Sequence, residues 1–180
     1  WHGVTSVAIG NCGFGFAPNR PEMREYLESS LTRVEAIPKA CMEAALPWTW
    51  ETFPEWLDVI DRQPKGLNML SYVPLNPLLI HVMGYEAAKS RDATDEERAE
   101  MVRLLSEAID AGACGWSAQR SAPGTGFDVQ RDYDGTPFAT DLMSKETALA
   151  LGAALADYDH TFTQTLMLTD DPAGDLAHLE

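Results

Sequence analysis

Positive charge is scarce in this chain: 13 Lys and Arg stand against 28 Asp and Glu, a formal net charge of −15. Such a field repels phosphate backbones and anionic headgroups, which argues against nucleic acid and membrane surfaces as partners. Much of the acidity falls on helical surface and reads as ordinary solvated faces, not as an acidic tail. Cysteine is scarce as well. Cys12, Cys41 and Cys114 are odd in number and far apart, and no C-x-x-C pair occurs. Neither a disulfide framework nor a structural zinc knuckle is indicated, and a reducing cytoplasm is the expected compartment. No apolar run reaches membrane-spanning length, and no signal peptide is visible. Internal repeats, basic patches and low-complexity tracts are absent. Because the first residue is Trp, not Met, a processed or truncated chain is expected.

What is present suffices for a core. The 180 residues are 45% hydrophobic, enough for one domain or for part of a larger one. The chain is organised around residues 5–16, T-S-V-A-I-G-N-C-G-F-G-F. Val4 to Ile9 is a short, uncharged, β-branched run that suits a strand buried on both faces. It stops at Gly10, and Asn11-Cys12-Gly13 turns the chain. In a parallel sheet Cys12 would sit just beyond the strand's carboxyl end, where α/β barrels and open α/β sheets place their chemistry. A cysteine held there beside an Asn amide is a candidate metal ligand or nucleophile; the plainer alternative is a small buried residue in a tight turn. The glycines run G-x-x-G-x-G, the wrong order for a dinucleotide fingerprint, and no G-K-[ST] follows.

Along the chain, Asn19-Arg20-Pro21 introduces a helix to about Glu35 with Tyr26, Leu27, Leu31 and Val34 on its apolar face. Lys39 to Leu46 suits a short helix. The aromatic stretch from Pro47 to Trp56 begins as a loop, and a helix follows from about Pro54 to Arg62, proline being suited to a first helical position. Leu67 to Val73 is a second strand. Asn76 to Met83 reads as a helical turn. Thr94 and Glu97 form a capping box for a helix with Met101, Leu105, Ala108 and Ile109 as its buried stripe, ended by Gly112 in the left-handed region. Residues 113–117 make a third strand, placing Ser117, Gln119 and Arg120 at its carboxyl end. Residues 121–140 are a long, functional-looking loop. Ser144 caps a helix to about Tyr158, with Leu149, Leu151, Ala153 and Leu155 available for burial, residues 161–168 form a fourth strand, and Asp171-Pro172 starts a last helix. The order β-α-β-α-β-α-β-α implies an α/β fold of consecutive β/α units with parallel strands and right-handed crossovers. Four such units make about half of a (β/α)8 TIM barrel, in a single partial domain over residues 1–180; an open four-stranded sheet is the alternative.

Several of these motifs together resemble one family. His2 to Gly13 with Phe16-Ala17-Pro18, Pro47 to Glu51, Phe53-Pro54-Glu55, Val82-Met83-Gly84, Ala111 to Ser117 with Arg120, and Asp134 to Pro137 resemble the N-acyl-D-amino-acid deacylase (D-aminoacylase-like) branch of the amidohydrolase superfamily. The resemblance runs in order along essentially the whole chain. It implies a (β/α)8 hydrolase that binds zinc at the carboxyl ends of its strands and cleaves small acylated amines, with Cys12 as a metal ligand. A thiolate binds zinc tightly, and the metal would activate a water and polarise the amide carbonyl. Asn11, Trp48, Trp50, Glu51, Ser117 and Arg120 are the candidate substrate contacts: the loop aromatics as a wall, and Arg120 as a fork for a carboxylate.

The sequence also departs from the family. The His-x-His pair has no counterpart, the later histidines and the catalytic Asp would follow Glu180, and Leu75 stands where relatives carry His. His2, His81, His160 and His178 show no ligand spacing. The chain therefore resembles an internal piece of a deacylase, inactive alone, with the rest of the barrel or a second copy of itself covering its open edges. Two rival readings remain: a non-catalytic α/β association module, and a domain binding a phosphorylated ligand through backbone N–H groups of residues 10–15.

Overall fold

The computed structural model of the chain describes residues 2–121 and 130–168. Its first strand, β1 (Ser6–Ile9), leads through a 3-10 turn at Asn11–Gly13 to a second at Pro21–Met23 and helix α1 (Arg24–Glu35). Helices α2 (Lys39–Ala45) and α3 (Phe53–Arg62) follow, then strands β2 (Asn68–Ser71) and β3 (Val73–Pro74). Next come α4 (Leu75–Met83), α5 (Tyr85–Ala88), α6 (Asp95–Asp110) and β4 (Gly115–Ser121). The described part closes with α7 (Ala139–Leu142), α8 (Lys145–Ala153) and β5 (Phe162–Leu168). The expected last helix at Asp171 lies outside the described residues.

Every strand pairing is parallel: β1 with β2, β3 with β4, and β4 with β5. β2 and β3 are one chain path serving both neighbours. Tyr72, between them, donates its N–H to Ile9, while Ser71 accepts from the Cys114 N–H. Alternating strands and helices with parallel pairing are the α/β fold that the sequence implies.

Helix termini follow their sequence signals. Thr94 and Glu97 form the expected reciprocal capping box, and Thr52 with Glu55 forms a second one at α3 that the sequence reading did not single out. The stripe Met101, Leu105, Ala108 and Ile109 is fully enclosed, packed with Leu75, Leu78, Trp50 and Trp56 in the main core.

Four details differ from expectation. β1 is not buried on both faces; its residues alternate between exposed and half-buried, because helices cover only one side. The third strand does not end at Ser117 but runs to Ser121, since β5 pairs with it along its full length. Gly112 has φ of 115°, positive but outside the left-handed helical well. α8 stops at Ala153, where turns replace the helix, and within it Leu149 faces solvent while Leu151 is buried.

Gly115 opens β4 for a steric reason. A Cβ there would sit 1.8 Å from the Phe162 carbonyl oxygen, so only glycine lets β5 come alongside. One residue on, Trp116 points to the helical side and donates its indole N–H to Leu151 of α8. Ser117 points the other way, toward the turn after β1.

Candidate functional site around the Cys12 turn

Cys12 has φ 57° and ψ 14°, a left-handed conformation that costs a residue with a Cβ about 1–2 kcal/mol. The surroundings hold it there. Its N–H donates to Oε1 of Gln164 at 2.6 Å, and the Gly13 N–H donates to Oγ of Ser117 at 3.0 Å. The same Ser117 hydroxyl donates to the Gly10 carbonyl in a short hydrogen bond. Gly13 is sterically required: with φ of 83°, a Cβ would meet the Ala118 Cα at 3.0 Å and the Ser117 oxygen at 3.2 Å. The turn therefore lies against β4 and is reached by a side chain from β5. Cys12 is half-buried beside a small cluster of Phe14, Leu31, Met42 and Phe138, in which Phe14 meets Phe138 edge-on at 4.7 Å.

The candidate contacts fall into separate positions. Asn11 is exposed and donates to the Ala8 carbonyl, closing the end of its own strand. Ser117 is fully buried and engaged with the turn, so it supports Cys12 instead of facing a ligand. Trp50 is 2% exposed, donates its indole N–H to the Phe16 carbonyl and packs on Trp56. A ring so enclosed props the loop and cannot form a ligand wall. Trp48 stacks on Trp50 at 5.1 Å, meets Phe16 edge-on and carries the Arg24 guanidinium over its face, so it does border the loop leaving the turn. Glu51 is exposed; its carbonyl accepts from Asn19 and its N–H donates to Glu55. Arg120 is not brought to Cys12. It shares the Trp116 side of β4, lines a cleft with Lys145, Ala148 and Thr163, and donates to the Met143 carbonyl. Strand alternation, with β4 longer than expected, separates it from Ser117.

Three backbone donors of the turn are already occupied: Cys12 by Gln164, Gly13 by Ser117 and Phe14 by the Asn11 carbonyl. An anion would have to displace these partners, which weighs against the phosphorylated-ligand reading. No group of three or more His, Cys, Asp and Glu side chains able to hold a metal occurs among the described residues. His81 is half-buried, and burial together with the nearby Arg20 lowers its pKa, against the opposing pull of Glu100 and Glu22.

Two polar features escaped the sequence reading. The first is a buried network. Lys89 donates to Asp132 at 2.8 Å and to Tyr85 at 2.9 Å, and Tyr85 donates to Asp134 at 2.5 Å. Tyr26 of α1 donates to Asp132 and accepts from Asn76, whose own oxygen receives the Ala139 N–H. Burial resists ionisation of Asp134, yet hydrogen bonds from Tyr85 and Thr136 and the charge of Lys89 hold its pKa well below the usual range. Burial, reinforced by Asp132, pushes Tyr26 up, so it remains a donor. Only Asp134-Gly135-Thr136-Pro137 of this network stood out in sequence, because its other members are spread over α1, α4 and α5. The second feature is Asp141, enclosed beside the end of β4. Burial raises its pKa to about 6, although the Ser121 N–H donates to it at 2.6 Å.

No family model matches the chain. Individual relatives do. The chain is 36% identical over 125 residues to an uncharacterized protein of Mycobacterium tuberculosis, covering 67% of this chain and 20% of that one. It is 35% identical over 117 residues to an N-acyl-D-aspartate deacylase and 32% identical over 119 residues to a D-aminoacylase, both of Alcaligenes xylosoxydans xylosoxydans. Each alignment covers 64% of this chain. The chain is thus similar in sequence to part of two D-amino-acid deacylases. The matches span 20% and 21% of those two enzymes' lengths, as an internal stretch of them would. Solved structures agree on the fold. An N-acyl-D-glutamate deacylase from Bordetella bronchiseptica, complexed with zinc and a phosphonate inhibitor, superposes with a TM-score of 0.67 at 18% identity, over 98% of this chain and 31% of that one. A D-aminoacylase, described as defining a novel subset of amidohydrolases, gives 0.58 at 20% identity with the same coverage.

Proposed function

We propose that this chain forms part of the catalytic wall of a zinc-dependent amide hydrolase that deacylates N-acyl-D-amino acids or similar small acylated amines. Cys12 supplies one metal ligand. The observation that carries this reading is the turn itself: a cysteine in a strained left-handed conformation at the carboxyl end of a parallel strand, in a chain over 30% identical to two deacylases. Strain of this kind persists where neighbouring groups over-determine it, and it concentrates at functional sites.

A thiolate suits zinc, but one donor does not make a catalytic site. Such a site takes three protein ligands with water in the fourth position, and the described residues contain no group of three or more His, Cys, Asp and Glu side chains that could hold a metal. No reaction step is therefore assigned to the metal. What this chain contributes is placement: Ser117 and Gln164 set the cysteine, Phe16 packs on the same small apolar cluster as Cys12, and Trp48 meets Phe16 edge-on.

The test is made in the full reading frame that carries this chain. Zinc content and release of free D-amino acid from N-acetyl-D-aspartate and N-acetyl-D-glutamate are measured for the parent and for Cys12→Ala. Loss of both zinc and hydrolysis in the variant is expected. A variant that keeps its zinc and its activity would overturn the reading.

A further inference from the structure

We propose that Gln164 is a positioning residue for Cys12: its side-chain amide fixes the cysteine's main chain and so sets where the thiol points. The inference deepens the metal-ligand reading above, but its geometry stands independently. Cys12 occupies a left-handed well, and a residue with a Cβ leaves that well unless its surroundings hold it. Two side chains do so. Ser117 takes the Gly13 N–H, downstream of the cysteine, and also grips Gly10 upstream. Gln164 takes the N–H of Cys12 itself at 2.6 Å.

The division of labour follows from peptide geometry. Ser117 pins the two ends of the turn, but neither contact touches the peptide plane between Asn11 and Cys12. That plane sets φ of Cys12, and φ sets the direction of its Cα–Cβ bond. Inside the turn the Asn11 carbonyl of that plane accepts from the Phe14 N–H; among the described residues, the contact that fixes the plane from outside the turn is that of Gln164. Gln164 is paired in register with Ser117 on the neighbouring strand, so both acceptors come from adjacent positions on one face of the sheet. A glutamine is the right length: a shorter amide at this strand position would fall one methylene short of the turn. Without the acceptor, Cys12 relaxes toward ordinary backbone angles and its half-buried thiol swings outward.

The experiment reads the thiol directly and needs no bound metal. In the 180-residue chain carrying Cys41→Ser, iodoacetamide labelling of Cys12 is followed by mass spectrometry. Gln164→Leu and Gln164→Asn should each raise the labelling rate about tenfold, the population change that corresponds to about 1.4 kcal/mol. Gln164→Glu keeps an acceptor at the same reach and should stay within about twofold of the parent. Unchanged labelling in the leucine and asparagine variants overturns the proposal, as does a glutamate variant labelled as fast as they are. Should the variants fail to fold, amide hydrogen exchange in the parent decides. The Cys12 N–H should exchange at least about a hundredfold more slowly than an unprotected amide, and unprotected exchange refutes the clasp. Failure of the zinc reading leaves a different trace: no metal in the full protein, with the labelling differences intact.

Discussion

Cys12 sits where its backbone prefers glycine, and its stability should reveal this. Cys12→Ala keeps the strain and loses the thiol; Cys12→Gly loses both. At an ordinary position alanine would win, but here the glycine variant should be the more stable by about 1 kcal/mol in urea unfolding. An alanine variant as stable as the glycine one would mean that the left-handed geometry is not maintained in solution. Asp141 makes a second prediction at this scale. Its folded-state pKa, about 6, lies above that of an unfolded carboxyl, so between about pH 4 and 6 the folded chain binds more protons than the unfolded one. Stability from this group therefore falls as pH rises through that window, and above it the folded state carries an unfavourable buried charge. Asp141→Asn should raise the melting temperature at pH 7.5 and change it little at pH 4; an equal effect at both would sink the assignment. The turn that carries Cys12 was legible in sequence because a strand stopped at a glycine-spaced turn. Gln164 was not, since nothing local in an alternating strand shows which neighbour's turn it will meet.

Helices were the most legible elements, because capping boxes and apolar stripes are local signals. Thr94 with Glu97, and the stripe from Met101 to Ile109, appear in the structure as the sequence implies. Element ends set by tertiary pairing were less legible: β4 runs on to Ser121 because β5 lies beside it. The Lys89 network shows the same limit, since it ties α1, α4, α5 and the segment before α7 through side chains remote in sequence. Lys89 and Asp132 are almost wholly enclosed, their side chains 8% and 0% exposed. Removing one partner strands the other, so Lys89→Met should cost about 3–5 kcal/mol in chemical denaturation, and adding Asp132→Asn should recover a substantial part. By contrast, Arg103 bridges Glu100 and Glu107 on the exposed face of α6, where water screens the pairs, and Arg103→Ala should cost far less than Lys89→Met. Equal costs for the two lysine and arginine variants would mean that the network is not buried as described.

Across the whole molecule, the side of the sheet that carries Cys12 is sparsely covered. Leu70 is 44% exposed and Phe162 49%, whereas the helical side is closed by the main core. β1 and β5 stand at the ends of the strand order among the described residues, each with one edge unpaired. Apolar surface and open edges of this kind favour association. The 180-residue chain on its own should therefore sediment as a dimer or larger species at micromolar concentration, and Leu70→Lys with Phe162→Lys should shift it toward monomer. A parent chain that is monomeric throughout would show that this face is covered in some other way.

The clasp on Cys12 also fixes an order of events during synthesis. The partner of Gly13 lies 104 residues downstream, and that of Cys12 lies 152 residues downstream. A ribosome that has released the chain only through β4 has delivered the first acceptor and not the second. The cysteine is thus made early and set late, and a nascent chain halted before Phe162 carries a thiol with no fixed aim. The contact that holds the Cys12 main chain exists only once the fifth strand has been laid down.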